Sequence, residues 1–133
     1  MGLDNGVMLK VKKEQNYKKA YKLFEHNNVW DEPGEVEVAY WRKCWGVRNA
    51  ILAAVPNGED EYHYPVTSEN IDAIIKAFRH FLNKRTWTEE ADSIWEWDKY
   101  TRHNQAKNYV GLLRLRQWLK THPEDEAYFY DSY

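Results

Sequence analysis

The sequence predicts an α+β domain in which a small antiparallel sheet pairs strands from the two chain ends and is covered by three or four helices. Val7, Leu9 and Val11 occupy alternate positions, which is the period of a half-buried strand. The C-terminal stretch 127–133 reads AYFYDSY, and its aromatic residues favour a second strand. Between these ends, apolar residues recur at helical spacing. The length of 133 residues fits a single domain, 1–133, with a core that needs no disulfide or metal.

Four helical segments are predicted between the terminal strands. A polar loop broken by Pro33 and Gly34 separates the first two. Thr67 or Ser68 provides the N-cap of the third, and a proline ends both the second and the last. The predicted helices are 15–24, 38–55, the segment that carries Ile71 to Leu82, and 105–121, with one or two further turns near Thr88.

A sheet of two strands is only marginally stable in water. The segment 61–66, EYHYPV, is therefore the candidate for a third strand. Pairing of two chains through an exposed sheet edge is the alternative. On this ground we expect a homo-oligomer.

Composition limits the class of protein. Seven Trp and ten Tyr exceed the needs of a small core, and surplus aromatics of this kind are typical of binding surfaces. The net charge of −2 argues against a protein that coats nucleic acid by bulk electrostatics. Cys44 is the only cysteine, so no intrachain disulfide or cysteine metal cluster can form. With neither a signal peptide nor an apolar run long enough for a membrane span, a cytoplasmic protein is expected, with no membrane partner.

One segment keeps a nucleic-acid alternative open. Residues 99–120 carry six basic side chains and no acidic one. With interleaved aromatics, such a segment can follow a phosphate backbone and stack bases. A solvated helix face explains the same charges. The residues concerned are Lys99, Arg102, Lys107, Arg114, Arg116 and Lys120, with Tyr100, Tyr109 and Trp118 between them.

The stretch 40–50, YWRKCWGVRNA, is the main candidate for a ligand site. If the predicted helix 38–55 contains it, Arg42, Gly46 and Asn49 share one face. A glycine inside a helix costs about 1 kcal/mol, so either a closely packed backbone or a ligand should lie across Gly46. The basic residues of the stretch suit a phosphate or carboxylate. The candidate ligand-binding residues are Trp41, Arg42, Lys43, Trp45, Arg48 and Asn49, joined by Tyr62 and His63.

Motifs for catalysis or metal binding are missing from the sequence. The five histidines are scattered and show neither HxH nor HExxH spacing. No serine lies in a GxSxG turn. We therefore assign no catalytic residue, no metal and no cofactor, and we expect a binding protein; a hydrolase built from residues far apart in the sequence is the less favoured alternative.

Three short motifs resemble a family of small phage and prophage proteins of unassigned function. They are MGLD at residues 1–4, YWRK at 40–43, and the aromatic C-terminal strand that ends in Ser and Tyr. The chain departs from that family after YWRK, where it reads CWGVRNAIL. The resemblance implies an accessory role in a host cytoplasm. A protein that captures a host protein or a phosphate-bearing small molecule, such as a nucleotide signal, and so counters a host defence is the expected function.

Overall fold

The computed structural model describes residues 4–24, 34–42, 45–55, 63–83 and 99–132. Its elements confirm the predicted α+β class. The strands are β1 (Asp4–Lys10), β2 (Glu35–Arg42), β3 (His63–Val66) and β4 (Glu126–Ser132). A 3-10 turn (Glu14–Asn16) precedes α1 (Tyr17–Leu23), and the other helices are α2 (Trp45–Ala54), α3 (Ile71–Asn83) and α4 (Lys99–Thr121).

The strands form one antiparallel sheet in the order β2-β1-β4-β3. β1 pairs with β4 from Asp4 opposite Ser132 to Lys10 opposite Glu126, which confirms the predicted pairing of the chain ends. The predicted third strand is confirmed as β3, which pairs with β4. The two terminal strands therefore lie in the middle of the sheet.

The predicted helix 38–55 is wrong in its first half, because Glu35–Arg42 is a strand and α2 begins at Trp45. The physical reason is a β-bulge. Val7 of β1 lies opposite Ala39 while Met8 lies opposite Glu37, so Val38 is an extra residue in β2. A bulge breaks the two-residue period, and the apolar residues of this strand then imitate helical spacing.

The remaining helix predictions are confirmed, with adjusted ends. Thr67 caps α3: its Oγ1 accepts a hydrogen bond from the backbone N–H of Asn70 (3.3 Å), and the Asn70 side chain accepts one from Thr67 N–H (2.7 Å). This reciprocal pair satisfies backbone donors that a helix start leaves open. α4 begins at Lys99 rather than near Gln105 and ends at Thr121 as predicted. The turn expected near Thr88 lies outside the described residues.

The core lies on one face of the sheet. Val7 and Leu9 of β1 and Phe129 of β4 are fully buried there. Phe78 of α3 is also fully buried, and its ring meets that of Trp41 edge-on at 5.3 Å. The core side chains of α3 and α4 that complete this layer include Ile71, Ile74, Leu112 and Leu115.

Helix α4 covers the outer edge of β2. The side-chain amide of Asn108 accepts a hydrogen bond from Tyr40 N–H (3.2 Å) and donates one to Tyr40 C=O (2.8 Å), as a neighbouring strand would. One turn later, Gly111 approaches Val38 so closely that an added Cβ would overlap the Val38 carbonyl oxygen. At this edge, the backbone N–H and C=O of Tyr40 are thereby hydrogen-bonded, and the backbone of Val38 is covered by α4.

The other edge strand, β3, has four residues and contains Pro65. A proline removes one backbone donor from the edge, and a short strand offers few pairing groups. In the part of the chain that the structure describes, each edge of the sheet thus has a feature that hinders strand addition. Across the described segments, no helix is apolar over a length that could cross a bilayer.

We expect Gly111→Ala to destabilise the fold. The new methyl group would meet the Val38 carbonyl and push α4 away from β2. This overlap should outweigh the helix propensity that alanine gains, for a net loss of about 2 kcal/mol. The free energy of unfolding in urea measures it. The control is Val110→Ala, at a neighbouring position that is 41% exposed; equal stability of the two variants would contradict the close approach.

Candidate functional site

The sheet face opposite the core carries an array of polar and aromatic side chains. Successive residues of a strand point to opposite faces, so Lys10, His63, Tyr128 and Tyr130 face away from the buried Val7 and Phe129 layer. The Tyr130 ring lies over Gly6, where an added Cβ would be 2.6 Å from it. Glycine at this position lets the tyrosine ring lie flat against β1.

Lys10, Tyr128 and His63 form the centre of this face. The His63 and Tyr128 ring centroids are 4.5 Å apart, with planes inclined by 40°. The Lys10 ammonium nitrogen lies 5.2 Å from the centroid of the Tyr128 ring, within the range of a cation–π contact. The Tyr128 hydroxyl is 3.4 Å from a carboxylate oxygen of Glu35. A tyrosine ring is thus flanked by one cation and one imidazole, and His63 and Lys10 are both exposed.

An open groove of about 790 Å³ adjoins this array at the end of β3. A volume of this size lies within the range that small ligands occupy. The groove runs past the capping turn of α3 and the chain segment that precedes β4. Its lining includes Lys10, His63, Pro65, Thr67, Glu69, Asp125, Glu126 and Tyr128.

The acidic groups of the groove have partners within the chain. The pKa of Glu69 is lowered, chiefly by a hydrogen bond from its own backbone N–H and then by the Thr67 hydroxyl, so its carboxylate is charged at neutral pH. Asp125 is buried and accepts hydrogen bonds from Lys12 N–H (2.9 Å) and from the Trp118 indole N–H (2.8 Å). Glu126 lies 3.7 Å from the Lys12 ammonium. Lys10 is the one lysine or arginine among the described residues that line the groove.

The structure places the described residues of the predicted ligand site on different elements. Trp41 is in the core at 1% exposure, where its indole N–H donates to Gln105 Oε1 (2.7 Å). Arg42 is the last residue of β2 and Trp45 the first of α2. Lys43 and Tyr62 lie outside the described residues.

The helical face expected to hold Arg42, Gly46 and Asn49 does not exist, because Arg42 belongs to a strand and Gly46 to the first turn of α2. A glycine in the first turn of a helix needs no compensating ligand. The conformational cost of Gly46 therefore does not indicate a ligand site. Asn49 is exposed, and its side-chain oxygen accepts a hydrogen bond from Arg48 at 3.3 Å. The ligand roles of these residues stay predictions.

Arg48 takes part in a buried polar cluster. Its guanidinium binds both carboxylate oxygens of Asp131, with Nε 2.9 Å from each and Nη2 2.7 Å from Oδ2. Asp131 also accepts a hydrogen bond from the Asn5 side chain, whose own oxygen is buried and has no hydrogen-bond partner among the described residues. Asp131 and Asn5 are 2% and 0% exposed. The cluster therefore joins α2 to both central strands. Arg48, predicted as a ligand-binding cation, thus has a structural role.

The basic segment 99–120 lies almost entirely within α4. Arg114 donates to the carbonyl oxygen of Leu23 at the end of α1 (2.7 Å), and Arg116 pairs with Asp72 of α3 at 3.2 Å. Trp118 is buried at 3% exposure. At least these three side chains support the fold, and nucleic-acid binding by the segment stays a prediction.

Sequence reasoning included His63 but missed Lys10 and Tyr128. The signal was present in the alternation of the terminal strands, since both residues occupy positions opposite to the apolar ones. Which cations and rings meet on that face depends on the β1–β4 register, which the sequence alone does not give. In the described segments, no group of three His, Cys, Asp or Glu side chains is placed to hold a metal ion.

We expect Arg48→Met to lower the free energy of unfolding by about 3–5 kcal/mol, because it leaves the Asp131 carboxylate buried without its charged partner. The matched control is Arg116→Met, whose ion pair with Asp72 is exposed and should contribute less than about 1 kcal/mol. Urea unfolding measures both. Adding Asp131→Asn to Arg48→Met should recover part of the loss, and no recovery would show that packing rather than charge is responsible.

No protein-family model, curated protein or solved structure matches this chain.

Proposed function

We propose that the protein is a binding protein that captures a planar small molecule bearing a phosphate, such as a nucleotide, on the outer face of the sheet. The observation that carries the proposal is the array of His63, Tyr128 and Lys10 beside an open groove. An aromatic ligand can stack on exposed rings. A lysine beside them supplies the charge that a phosphate needs.

His63 is the first element of the binding mode. It is exposed at the start of β3, and its ring rests on Tyr128 at 4.5 Å, so one side of the imidazole is already packed. A base would stack on the exposed part of the imidazole and extend this pair of rings. The contact with Tyr128 restricts the ring before the ligand arrives, which lowers the side-chain entropy lost on binding.

Lys10 is the second element. Its ammonium lies over the Tyr128 ring, and the acidic residues Glu35 and Glu126 lie opposite it in the strand register. The nearby Glu69 carboxylate is anionic. One lysine against several carboxylates favours a single phosphate over a triphosphate, because each further negative charge meets more repulsion.

The biological role follows as part of the same proposal. The motifs at 1–4 and 40–43 resemble small phage and prophage proteins, and a phage gains when a signalling nucleotide of its host is removed from solution. Capture in stoichiometric amounts requires no catalytic group. In this role the protein acts in the host cytoplasm and counters a host defence.

Titration calorimetry with a panel of nucleoside monophosphates and the matching nucleosides tests the proposal. A monophosphate should bind about tenfold more tightly than its nucleoside, because the phosphate adds one charge-assisted contact. The triphosphate should bind no more tightly than the monophosphate. Failure of every monophosphate to bind at millimolar concentration would contradict the proposal.

Two substitutions separate the parts of the site. Lys10→Gln should reduce monophosphate affinity to that of the nucleoside and leave the nucleoside unchanged. His63→Ala should weaken both, because it removes the stacking ring. The control is Lys76→Gln, which removes an exposed lysine from α3 on the other side of the sheet; an equal loss there would indicate non-specific charge.

A further inference from the structure

Residues 10–22 form a second surface, which is positively charged although the net charge of the chain is −2. Between residues 10 and 22 there are six lysines and a single acidic residue, Glu14. All six lysines are exposed. This density exceeds that of residues 99–120 and follows β1 into the 3-10 turn and α1. The lysines are Lys10, Lys12, Lys13, Lys18, Lys19 and Lys22.

Helix α1 arranges its residues in three stripes. Ala20 and Phe24 are buried, and the Phe24 ring contacts the Trp118 ring at 6.3 Å. Lys18 and Lys22, four residues apart, form the exposed outer stripe. Tyr17 and Tyr21 lie between the two and are half-buried. Aromatic rings are thus placed directly beside the outermost cations.

The two tyrosines are held in place by Gly34. The Tyr21 hydroxyl accepts a hydrogen bond from Gly34 N–H at 2.9 Å. The Tyr17 ring passes so close that a Cβ at Gly34 would be 3.1 Å from it, and the φ of +88° at this residue also favours glycine. The rings are 6.3 Å apart and line a groove of about 840 Å³ together with Lys13 and Lys18.

The lysines of this surface differ in their partners. Lys12 and Lys13 lie 3.7 and 3.6 Å from Glu126 and Glu124, and such exposed pairs are weak and are broken by competing anions. Lys18 and Lys22 form no ion pair with any residue in the part of the chain that the structure describes. Among the described residues, no carboxylate competes with an external anion for these two lysines.

We propose that the groove of α1 and the preceding turn binds single-stranded nucleic acid, with Lys13, Lys18 and Lys22 on the phosphates and Tyr17 and Tyr21 stacking on bases. The charge is complementary to a polyanion, and aromatic rings interleaved with lysines are the arrangement that binds single strands without sequence preference. An acidic peptide would use the lysines but not the tyrosine faces. Lys10 belongs to the sheet groove, and among the described residues the groove at α1 shares no lining residue with it, so the two proposals can fail independently.

Fluorescence anisotropy with a labelled oligothymidylate of about 12 nucleotides tests the inference, since single-strand sites are of this order. Binding should weaken steeply with salt. Lys18→Gln combined with Lys22→Gln should reduce the slope of log K against log salt by about 1.4, or about 0.7 for each phosphate that the variant no longer neutralises. Tyr17→Leu should weaken binding by roughly tenfold with the slope unchanged, because a stacked ring rather than a charge is removed.

Three comparisons decide the outcome. Lys76→Gln is the matched control for removal of an exposed lysine and should leave binding unchanged. Each variant should keep the circular dichroism spectrum and unfolding midpoint of the parent. Duplex DNA and inorganic polyphosphate should bind more weakly than the oligothymidylate. The inference would be overturned if polyphosphate bound as tightly as the oligothymidylate, or if the Tyr17→Leu variant kept full affinity. It would also be overturned if Lys76→Gln lost as much affinity as the double variant.

Discussion

The register between β1 and β4 is the constraint on which both faces of the sheet depend. Because the side-chain period of a strand is two, a slip by one residue would exchange Tyr128 and Tyr130 with Ala127, Phe129 and Asp131. Three features oppose such a slip. On the core face of the sheet, the Asn5 side chain donates a hydrogen bond to Asp131. On the outer face, the Tyr130 ring lies over Gly6. Asp125 accepts a hydrogen bond from the backbone N–H of Lys12. The chain ends thus fix each other's orientation, and the aromatic face follows from it.

The buried cluster of Arg48, Asp131 and Asn5 contributes specificity more than stability. Burial of an ion pair has a desolvation cost that often cancels its attraction. The geometry here reduces that cost, because both carboxylate oxygens accept charged hydrogen bonds from the Arg48 side chain. Only one orientation of α2 against β4 allows this fork-shaped contact. The pair therefore positions α2 beneath the sheet, and the Asn5 oxygen, which has no hydrogen-bond partner among the described residues, adds a cost to the arrangement.

The elements that could be predicted are those in which the spacing of apolar residues matches the positions that are buried. Val7 and Leu9 alternate and are buried, and Ile71, Ile74 and Phe78 form one buried helical face. β2 could not be predicted, because the bulge at Val38 disrupts its alternation and no Gly, Pro, Asn or Asp at 43–44 marks its end. The helical face predicted for Arg42, Gly46 and Asn49 is absent for the same reason. Partners far apart in the chain, such as Arg48 and Asp131, depend on a register that local patterns do not encode.

As far as the structure describes them, both edges of the sheet carry features that hinder the addition of a further strand. α4 satisfies the backbone of Tyr40 and covers Val38 at one edge, and Pro65 interrupts the short strand at the other. A sheet of four strands does not need a second chain at its edge to be stable. The homo-oligomer therefore stays a prediction that no described feature of the structure supports. Recognition by strand addition is disfavoured. The outer sheet face and α1, where exposed cations adjoin aromatic rings among the described residues, are the surfaces that we propose for recognition.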